Sequence, residues 1–175
     1  MRASYLTDEH EMFRDALRKM LEKEAYPYFE QWEADRDIPR EFWLKLGENG
    51  FLLPWVEEQY GGLGLDFSYS VILTEELERV GAGLASGISL HSDIVSPYIA
   101  AYGTEEQKQR WLPKSVTGEM ISAVAMTEPG TGSDLAAVRT TARREGDHYI
   151  LNGEKTFITN GLHADYVVVV CKTDP

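Results

Sequence analysis

Glycine and hydroxyl residues cluster in the segment AMTEPGTGSDL, which covers residues 125–135. Gly130 and Gly132 allow the backbone to approach a ligand closely, because glycine has no Cβ atom. Thr131 and Ser133 add hydroxyl donors, so the segment can present main-chain N–H and side-chain O–H groups to an anion. The pattern therefore indicates contact with a phosphate or a pyrophosphate, and an ordinary tight turn is the alternative.

Two familiar phosphate-binding motifs do not fit this segment. A Walker loop has a lysine after its second glycine, and a dinucleotide-binding fingerprint reads GxGxxG at the start of a helix. Neither pattern occurs around Gly130 and Gly132. Residue types and spacing alone thus predict an anion without identifying the molecule that carries it.

The chain before Gly118 has a helical pattern. Apolar side chains recur at the spacing of one buried helix face, at Phe13, Ala16, Leu17, Met20 and Leu21. Capping residues, prolines and glycines predict where the helices begin and end. Helices are expected to start at Thr7, Pro39, Asp66 and Thr104, to break or kink at Pro27 and Pro97, and to end at Gly103.

Residues 119–175 have the pattern of strands and turns. A short apolar run at 121–126 precedes the glycine-rich segment, and EGDH at 145–148 and an asparagine–glycine pair predict two hairpin turns. The continuous apolar run YVVVVCK at 166–172 predicts a strand buried on both faces. The sequence therefore predicts an α+β protein in which a helical domain is followed by a β domain.

Composition argues against several classes of function. The formal net charge of −12 disfavours a nucleic-acid partner, because phosphate backbones need a basic face. No apolar run approaches the roughly 20 residues of a membrane span, and the acidic N-terminus has neither a signal-peptide nor a transit-peptide pattern. A single cysteine, Cys171, excludes an internal disulfide and is too little for a metal site. We expect an intracellular, reducing compartment and no metal.

Two segments together carry a family resemblance. AMTEPGTGSDL followed by LNGEKTFITNG resembles the paired flavin-binding segments of acyl-CoA dehydrogenases, and LHSDIVSPYI with YGTEEQKQRWLP is similar to the long-chain members in particular. The resemblance covers essentially the whole chain. It implies an all-helical N-terminal domain at 1–118 and an incomplete β-barrel domain at 119–175, with FAD as the cofactor.

The resemblance also implies a role for individual residues. Met126 and Thr127 would contact the flavin ring, while Gly132 and Ser133 would meet the pyrophosphate, with Ser133 also near the acyl-CoA substrate. Phe157 stands where the family commonly has tryptophan, and it would pack on the ring unless it is simply an aromatic residue of the barrel core. The full set of implied FAD contacts is Val124, Met126, Thr127, Gly132, Ser133, Phe157, Ile158 and Thr159, the last near flavin N5.

The implied chemistry is the removal of two hydrogens from the α and β carbons of an acyl-CoA thioester, with electrons passing to an electron-transfer flavoprotein. In the family, a second helical domain supplies the catalytic glutamate and the tetramer interface, and we expect both to lie beyond residues 1–175. Glu128 does not occupy the position of that base. The chain is therefore expected to be an inactive N-terminal fragment of an enzyme that is a homotetramer or homodimer when full length.

The remaining expectations concern location and alternatives. The resemblance implies a cytoplasmic protein in a bacterium, or a mitochondrial matrix protein in a eukaryote. Two other functions stay open: a non-catalytic remnant or interaction module, and a flavin oxidase of the same fold.

Overall fold

The computed structural model describes residues 6–173, and its first part consists of helices. These are α1 (Asp8–Glu24), α2 (Phe29–Asp35), α3 (Arg40–Glu48), α4 (Phe67–Val80), α5 (Ala82–Ser89), α6 (Ser96–Tyr102) and α7 (Glu105–Val116). A 3₁₀ turn at Glu58–Tyr60 precedes α4, and a π-helical turn at Leu90–Val95 joins α5 to α6. The predicted helical N-terminal part is confirmed.

Local hydrogen bonds explain the helix boundaries. The Asp66 carboxylate accepts a bond of 2.8 Å from the Ser68 N–H at the start of α4. At α7 the Thr104 N–H donates to Gln107 Oε1 at 2.8 Å, which is one half of the predicted capping box. Thr7, Pro39 and Gly103 are the cap residues of α1, α3 and α6, and Pro27 lies in the turn between α1 and α2, as predicted.

The predicted kink at Pro97 takes the form of a change in helix type. In an α-helix a proline ring clashes with the carbonyl four residues earlier, and the proline supplies no N–H. The π-helical turn Leu90–Val95 lies directly before α6 and widens the backbone there. Ser96 Oγ donates to His91 O at 2.7 Å, so a carbonyl of this irregular turn still has a partner.

The hydrophobic core lies between α1, α3, α4, α5 and α7. Its fully buried side chains include Leu17, Leu21, Trp43, Leu46, Leu73, Leu77, Leu84 and Leu112. The predicted apolar face of α1 is confirmed except at Ala16, which is exposed to solvent.

A buried carboxylate joins α1 to α4. Glu76 is only 1% exposed, and it accepts from Arg14 Nη1 at 2.8 Å and from Arg18 Nε at 2.9 Å. Arg14 also pairs with the exposed Glu75 at 2.8 Å. Burial by itself raises the pKa of Glu76, but the hydrogen bonds from Arg18 and Arg14 outweigh it and hold the pKa below its ordinary value.

The β part contains two separate two-stranded sheets. Strand β1 (Ser122–Ala125) pairs in parallel with β4 (Tyr166–Val169), whereas β2 (Thr141–Glu145) and β3 (His148–Asn152) form an antiparallel hairpin. The hairpin turn at 146–147 confirms the first predicted hairpin. The described residues therefore form the start of a β domain and no closed barrel, as expected for an incomplete one.

Two strand predictions are wrong. β4 is not buried on both faces, because Tyr166 and Val168 pack against the helical core while Val167 on the other face is 42% exposed. The second hairpin does not form either. After Asn152 the chain leaves the sheet, and residues 153–158 lie in neither a helix nor a strand.

A buried histidine links the helical part to β1. The Ser122 N–H donates to His91 Nδ1 at 3.1 Å, so the ring proton sits on Nε2, which donates to Ser115 O at 3.1 Å. His91 is completely buried, with the Trp43 ring packed edge-on against it. Burial lowers the pKa of His91 from its ordinary 6.5 to about 4, so the neutral ring is the form that fits this junction.

We predict that replacing Glu76 strongly destabilises the fold. Glu76→Gln removes the buried charge that Arg14, Arg18 and Arg79 share, and breaking such a buried pair costs about 3 kcal/mol or more. The matched control is Glu75→Gln, since Glu75 contacts Arg14 from an exposed position and should cost less than about 1 kcal/mol. Urea unfolding measures both. Equal losses in the two variants would contradict a special role for the buried carboxylate.

We also predict that His91 makes the protein less stable in acid. Its folded pKa of about 4 lies below its ordinary 6.5, so between these values the unfolded chain binds a proton that the folded chain does not. This stabilisation is complete above pH 6.5 and is lost as the pH falls toward 4, by up to about 1.4 kcal/mol per pH unit.

Urea unfolding at about pH 7 and about pH 5 tests this expectation. The loss of stability between the two should be about 2 kcal/mol smaller in His91→Gln than in wild type. His148→Gln, at an exposed position on β3, is the control and should keep the wild-type difference. If the free energy of unfolding of His91→Gln fell with pH as much as that of wild type, groups other than His91 would be the cause.

Candidate functional site

The glycine-rich segment folds into a tight turn directly after β1. The Glu128 N–H donates to Thr131 O at 2.9 Å, and the Thr131 N–H donates to Glu128 O at 3.0 Å. Thr131 is buried, and its hydroxyl donates to Ala137 O at 3.2 Å in the short 3₁₀ helix Leu135–Ala137. The Thr131 hydroxyl thus holds the loop together, and the expectation that it faces a ligand is wrong.

The Glu128 carboxylate is the centre of the loop. Oε2 accepts from the Arg139 N–H at 2.7 Å, while Oε1 accepts from the Thr140 hydroxyl at 2.6 Å and from the Thr140 N–H at 2.9 Å. The hydrogen bond from the Thr140 hydroxyl, followed by the two main-chain bonds, lowers the pKa of Glu128 to about 2. A carboxylate with so low a pKa is a poor proton acceptor, which argues against Glu128 as a catalytic base.

Lys155 connects this loop to the second predicted segment. Its Nζ atom donates to Met126 O at 2.8 Å and to Glu128 Oε1 at 2.9 Å, and its side chain is only 12% exposed. The next residue continues the contact, because the Thr156 N–H donates to Thr127 O at 3.0 Å. The structure therefore brings together the two segments that the sequence analysis paired.

Gly132 and Ser133 lie on the exposed side of the loop. Within residues 6–173 neither their main-chain N–H groups nor the Ser133 hydroxyl has a hydrogen-bond partner. A Cβ atom added at Gly130 or Gly132 would meet nothing within 4 Å, so packing inside the protein does not require glycine there. These donors are available to an anionic ligand.

Phe157 is exposed on the second segment. It is 91% exposed and has a φ of +55°, a conformation that is rare for a bulky residue. Among the residues that the structure describes, Phe157 packs in no core, and its place in the complete barrel stays a prediction. Strained backbone of this kind costs about 1–3 kcal/mol and tends to occur at functional sites.

Residues 157–159 are not in a strand. Positive φ values at Phe157 and at Asn160, where φ is +62°, break the extended backbone, and a turn begins at Thr159. Val124, Met126, Thr127 and Ile158 are partly buried, whereas Thr159 is exposed.

Two anchors fix the turn after Thr159 to the rest of the molecule. Asn160 Nδ2 donates to Gly87 O of α5 at 2.9 Å. Further along, Arg40 Nη1 donates to Asp165 Oδ2 at 2.8 Å, and the same oxygen accepts from the Ile121 N–H at 2.8 Å. Four residues that hold the site together were not predicted from the sequence, namely Lys155, Asn160, Arg40 and Asp165. A signal existed only for Lys155 and Asn160, which are polar residues inside the segment LNGEKTFITNG.

A cavity of about 280 Å³ lies between α2, α5 and this turn. Thr159, Gly83 and Gly87 line it together with the aromatic rings of Trp32 and Trp43. Charged side chains of α2 and the residues after it also contribute, namely Glu33, Arg36 and Asp37. The candidate site thus combines exposed donors, an exposed aromatic ring and an adjacent cavity.

Within residues 6–173, no group of three or more histidine, cysteine, aspartate or glutamate side chains is placed to hold a metal ion. None of the helices in that range combines the length and apolarity that a membrane-spanning helix needs.

Comparison with known proteins relates the chain to one family. Residues 7–119 match the model of the acyl-CoA dehydrogenase N-terminal domain, and residues 123–175 match that of the middle domain. The mitochondrial long-chain specific acyl-CoA dehydrogenase of Rattus norvegicus is 46% identical over 168 residues, which is 96% of this chain and 39% of that protein.

Solved structures agree with the sequence comparison. The crystal structure of acyl-CoA dehydrogenase from Geobacillus kaustophilus matches with a TM-score of 0.97 and 68% identity, over 99% of this chain and 46% of that one. Acyl-CoA dehydrogenase complexed with FAD from Bacillus anthracis matches with a TM-score of 0.90 and 39% identity, over 99% of this chain and 31% of that one. The chain spans less than half the length of these relatives.

Proposed function

Because the chain belongs to the acyl-CoA dehydrogenase family, we propose that the whole protein is an FAD-dependent enzyme that introduces an α,β double bond into a fatty acyl-CoA thioester. Within this proposal, residues 1–118 are the helical domain and residues 119–175 begin the middle β-barrel domain.

One observation carries the proposal. The segments at 126–133 and 155–159 are hydrogen-bonded to each other, and their exposed residues offer N–H donors, a hydroxyl and an aromatic ring. A diphosphate needs several hydrogen-bond donors held in place by the backbone, and a flavin ring needs a flat apolar contact. The residues present therefore fit FAD.

Each residue has a defined task in the proposed site. Gly132 and Ser133 donate to the pyrophosphate, and Met126 and Thr127 contact the flavin edge. Phe157 packs on the ring, supported by Ile158. The remaining contacts are Val124 and Thr159, the latter with its hydroxyl near N5.

When bound, FAD supplies the oxidising chemistry by accepting a hydride from the β carbon. Removal of the α proton needs a carboxylate that can accept it, and Glu128 is unsuited because its pKa is about 2. The proposal accordingly places the catalytic base outside residues 1–175.

The substrate is proposed to be a medium-to-long straight-chain acyl-CoA. The long-chain rat relative supports this choice, as do the small residues Gly83, Ala85, Ser86 and Gly87 on α5, two of which line the cavity beside Thr159. Ser133 lies near the substrate in this arrangement. An electron-transfer flavoprotein is the proposed acceptor, and the whole protein is proposed to be a homotetramer or homodimer in the bacterial cytoplasm or the mitochondrial matrix.

Reduction of an artificial dye by acyl-CoA thioesters of several chain lengths tests the reaction. The purified whole protein should carry FAD and turn over, with its best kcat/KM on a medium or long chain, whereas residues 1–175 alone should not turn over. Bound flavin without turnover on any thioester would contradict the proposed dehydrogenase activity. Rapid reaction of the reduced flavin with oxygen would instead indicate an oxidase. A whole protein that binds no flavin would indicate a non-catalytic interaction module.

We predict that Ser133→Ala weakens FAD binding in the whole protein. A hydrogen bond to a charged oxygen contributes about 1.5–3 kcal/mol, which corresponds to roughly a ten- to hundredfold rise in Kd. Ser133→Thr keeps the donor and should be milder. Titration of apoprotein with FAD measures the affinity, and thermal unfolding without FAD should be nearly unchanged, because Ser133 is exposed. An unchanged affinity for FAD in Ser133→Ala would show that Ser133 does not bind the pyrophosphate and is only a residue of the turn.

A further inference from the structure

The Asn160 side chain joins three parts of the molecule. Its Nδ2 atom donates to Gly87 O of α5 at 2.9 Å and to Ser122 O of β1 at 3.2 Å. An amide nitrogen carries two hydrogens, so both donors of Asn160 are used. The residue itself belongs to the turn that follows Phe157 and Thr159, and it therefore ties that turn to a helix and a strand at once.

The backbone around Asn160 is adapted to this contact. Asn160 has a φ of +62°, a left-handed conformation that asparagine tolerates better than most residues. A Cβ atom at Gly87 would lie 3.1 Å from Asn160 Oδ1, so the absence of a side chain at Gly87 leaves room for the amide. The close approach thus depends on both residues.

The contact continues into the buried junction between the helical part and β1. Ser122 accepts from Asn160 through its carbonyl, while its N–H donates to His91 Nδ1 at 3.1 Å. Ser122 is the first residue of β1, the strand that leads into Val124 and Met126. One polar chain therefore ties the start of β1, which leads into the first candidate segment, and the turn that follows the second segment to α5 and to the π-helical turn after it.

We propose that Asn160 is a positioning residue for the cofactor. It sets the placement of Phe157 and Thr159 relative to Met126 and Thr127, and through them the affinity and redox potential of the bound flavin. This inference rests on the proposed FAD site. Asn160 itself contacts α5 and β1 and acts through its neighbours.

Two substitutions separate the side chain from the backbone conformation. Asn160→Gly keeps the left-handed backbone accessible and removes both amide bonds. Asn160→Asp keeps the shape but places a carboxylate against two carbonyl oxygens. Asn152→Asp makes the same charge change at an exposed position on β3 and is the matched control.

Amide hydrogen exchange in the apoprotein measures the anchoring without any cofactor. Residues 158–163 should exchange at least about tenfold faster in Asn160→Gly and Asn160→Asp than in wild type or Asn152→Asp. In the whole protein, the Kd for FAD should rise about tenfold in both Asn160 variants, equivalent to about 1.4 kcal/mol. The midpoint potential of the bound flavin should shift in the same variants and stay at the wild-type value in Asn152→Asp.

Each other outcome overturns a different statement. Unchanged exchange at residues 158–163 would show that Asn160 does not anchor the turn. Faster exchange combined with wild-type FAD affinity and potential would overturn the positioning role and leave the FAD site intact. A wild-type whole protein that binds no FAD would overturn the proposed function, and the role of Asn160 toward the cofactor with it.

Discussion

The candidate site depends on one buried carboxylate, that of Glu128. Its two oxygens accept from Arg139, Thr140 and Lys155, three residues that follow it in the chain by 11, 12 and 27 positions. A buried charge is costly unless such donors surround it, so the approach of Arg139 and Thr140 keeps Glu128 ionised, and Lys155 adds a further donor from the second segment. The close backbone approach of Gly153 to Thr140, where a Cβ would lie 2.4 Å from the hydroxyl oxygen, completes the same arrangement.

The helical part and the β part meet through a second set of polar contacts. His91 of the helical part accepts from the Ser122 N–H of β1, and Asn160 of the β part donates to Gly87 O of α5. Arg40 of α3 donates to Asp165, whose carboxylate also accepts from the Ile121 N–H before β1. Hydrogen bonds are directional, so they fix the relative position of the elements more narrowly than apolar packing alone. These hydrogen bonds consequently limit movement between the helical part and the β part beneath the exposed residues of the site.

The same loop divides its polar groups between two tasks. Thr131 and Glu128 point inward and are consumed by the protein, whereas Gly132 and Ser133 point outward with their donors unused among the described residues. Phe157 on the second segment is exposed as well. The arrangement suits a ligand that is anionic at one end and flat and aromatic at the other.

The sequence by itself determined the helical pattern, most helix ends, the strand before the loop, the first hairpin and the pairing of two distant segments. These features depend on local chemistry, such as the Asp66 and Thr104 caps, or on a motif long enough to be specific. Only the tertiary structure decided that β4 is half-exposed, that Thr131 faces inward and that Lys155 and Asn160 hold the site. Those outcomes depend on which groups meet in space, from six residues apart for Thr131 to more than seventy for Asn160, and such hydrogen-bond partners leave no periodic signal in the chain.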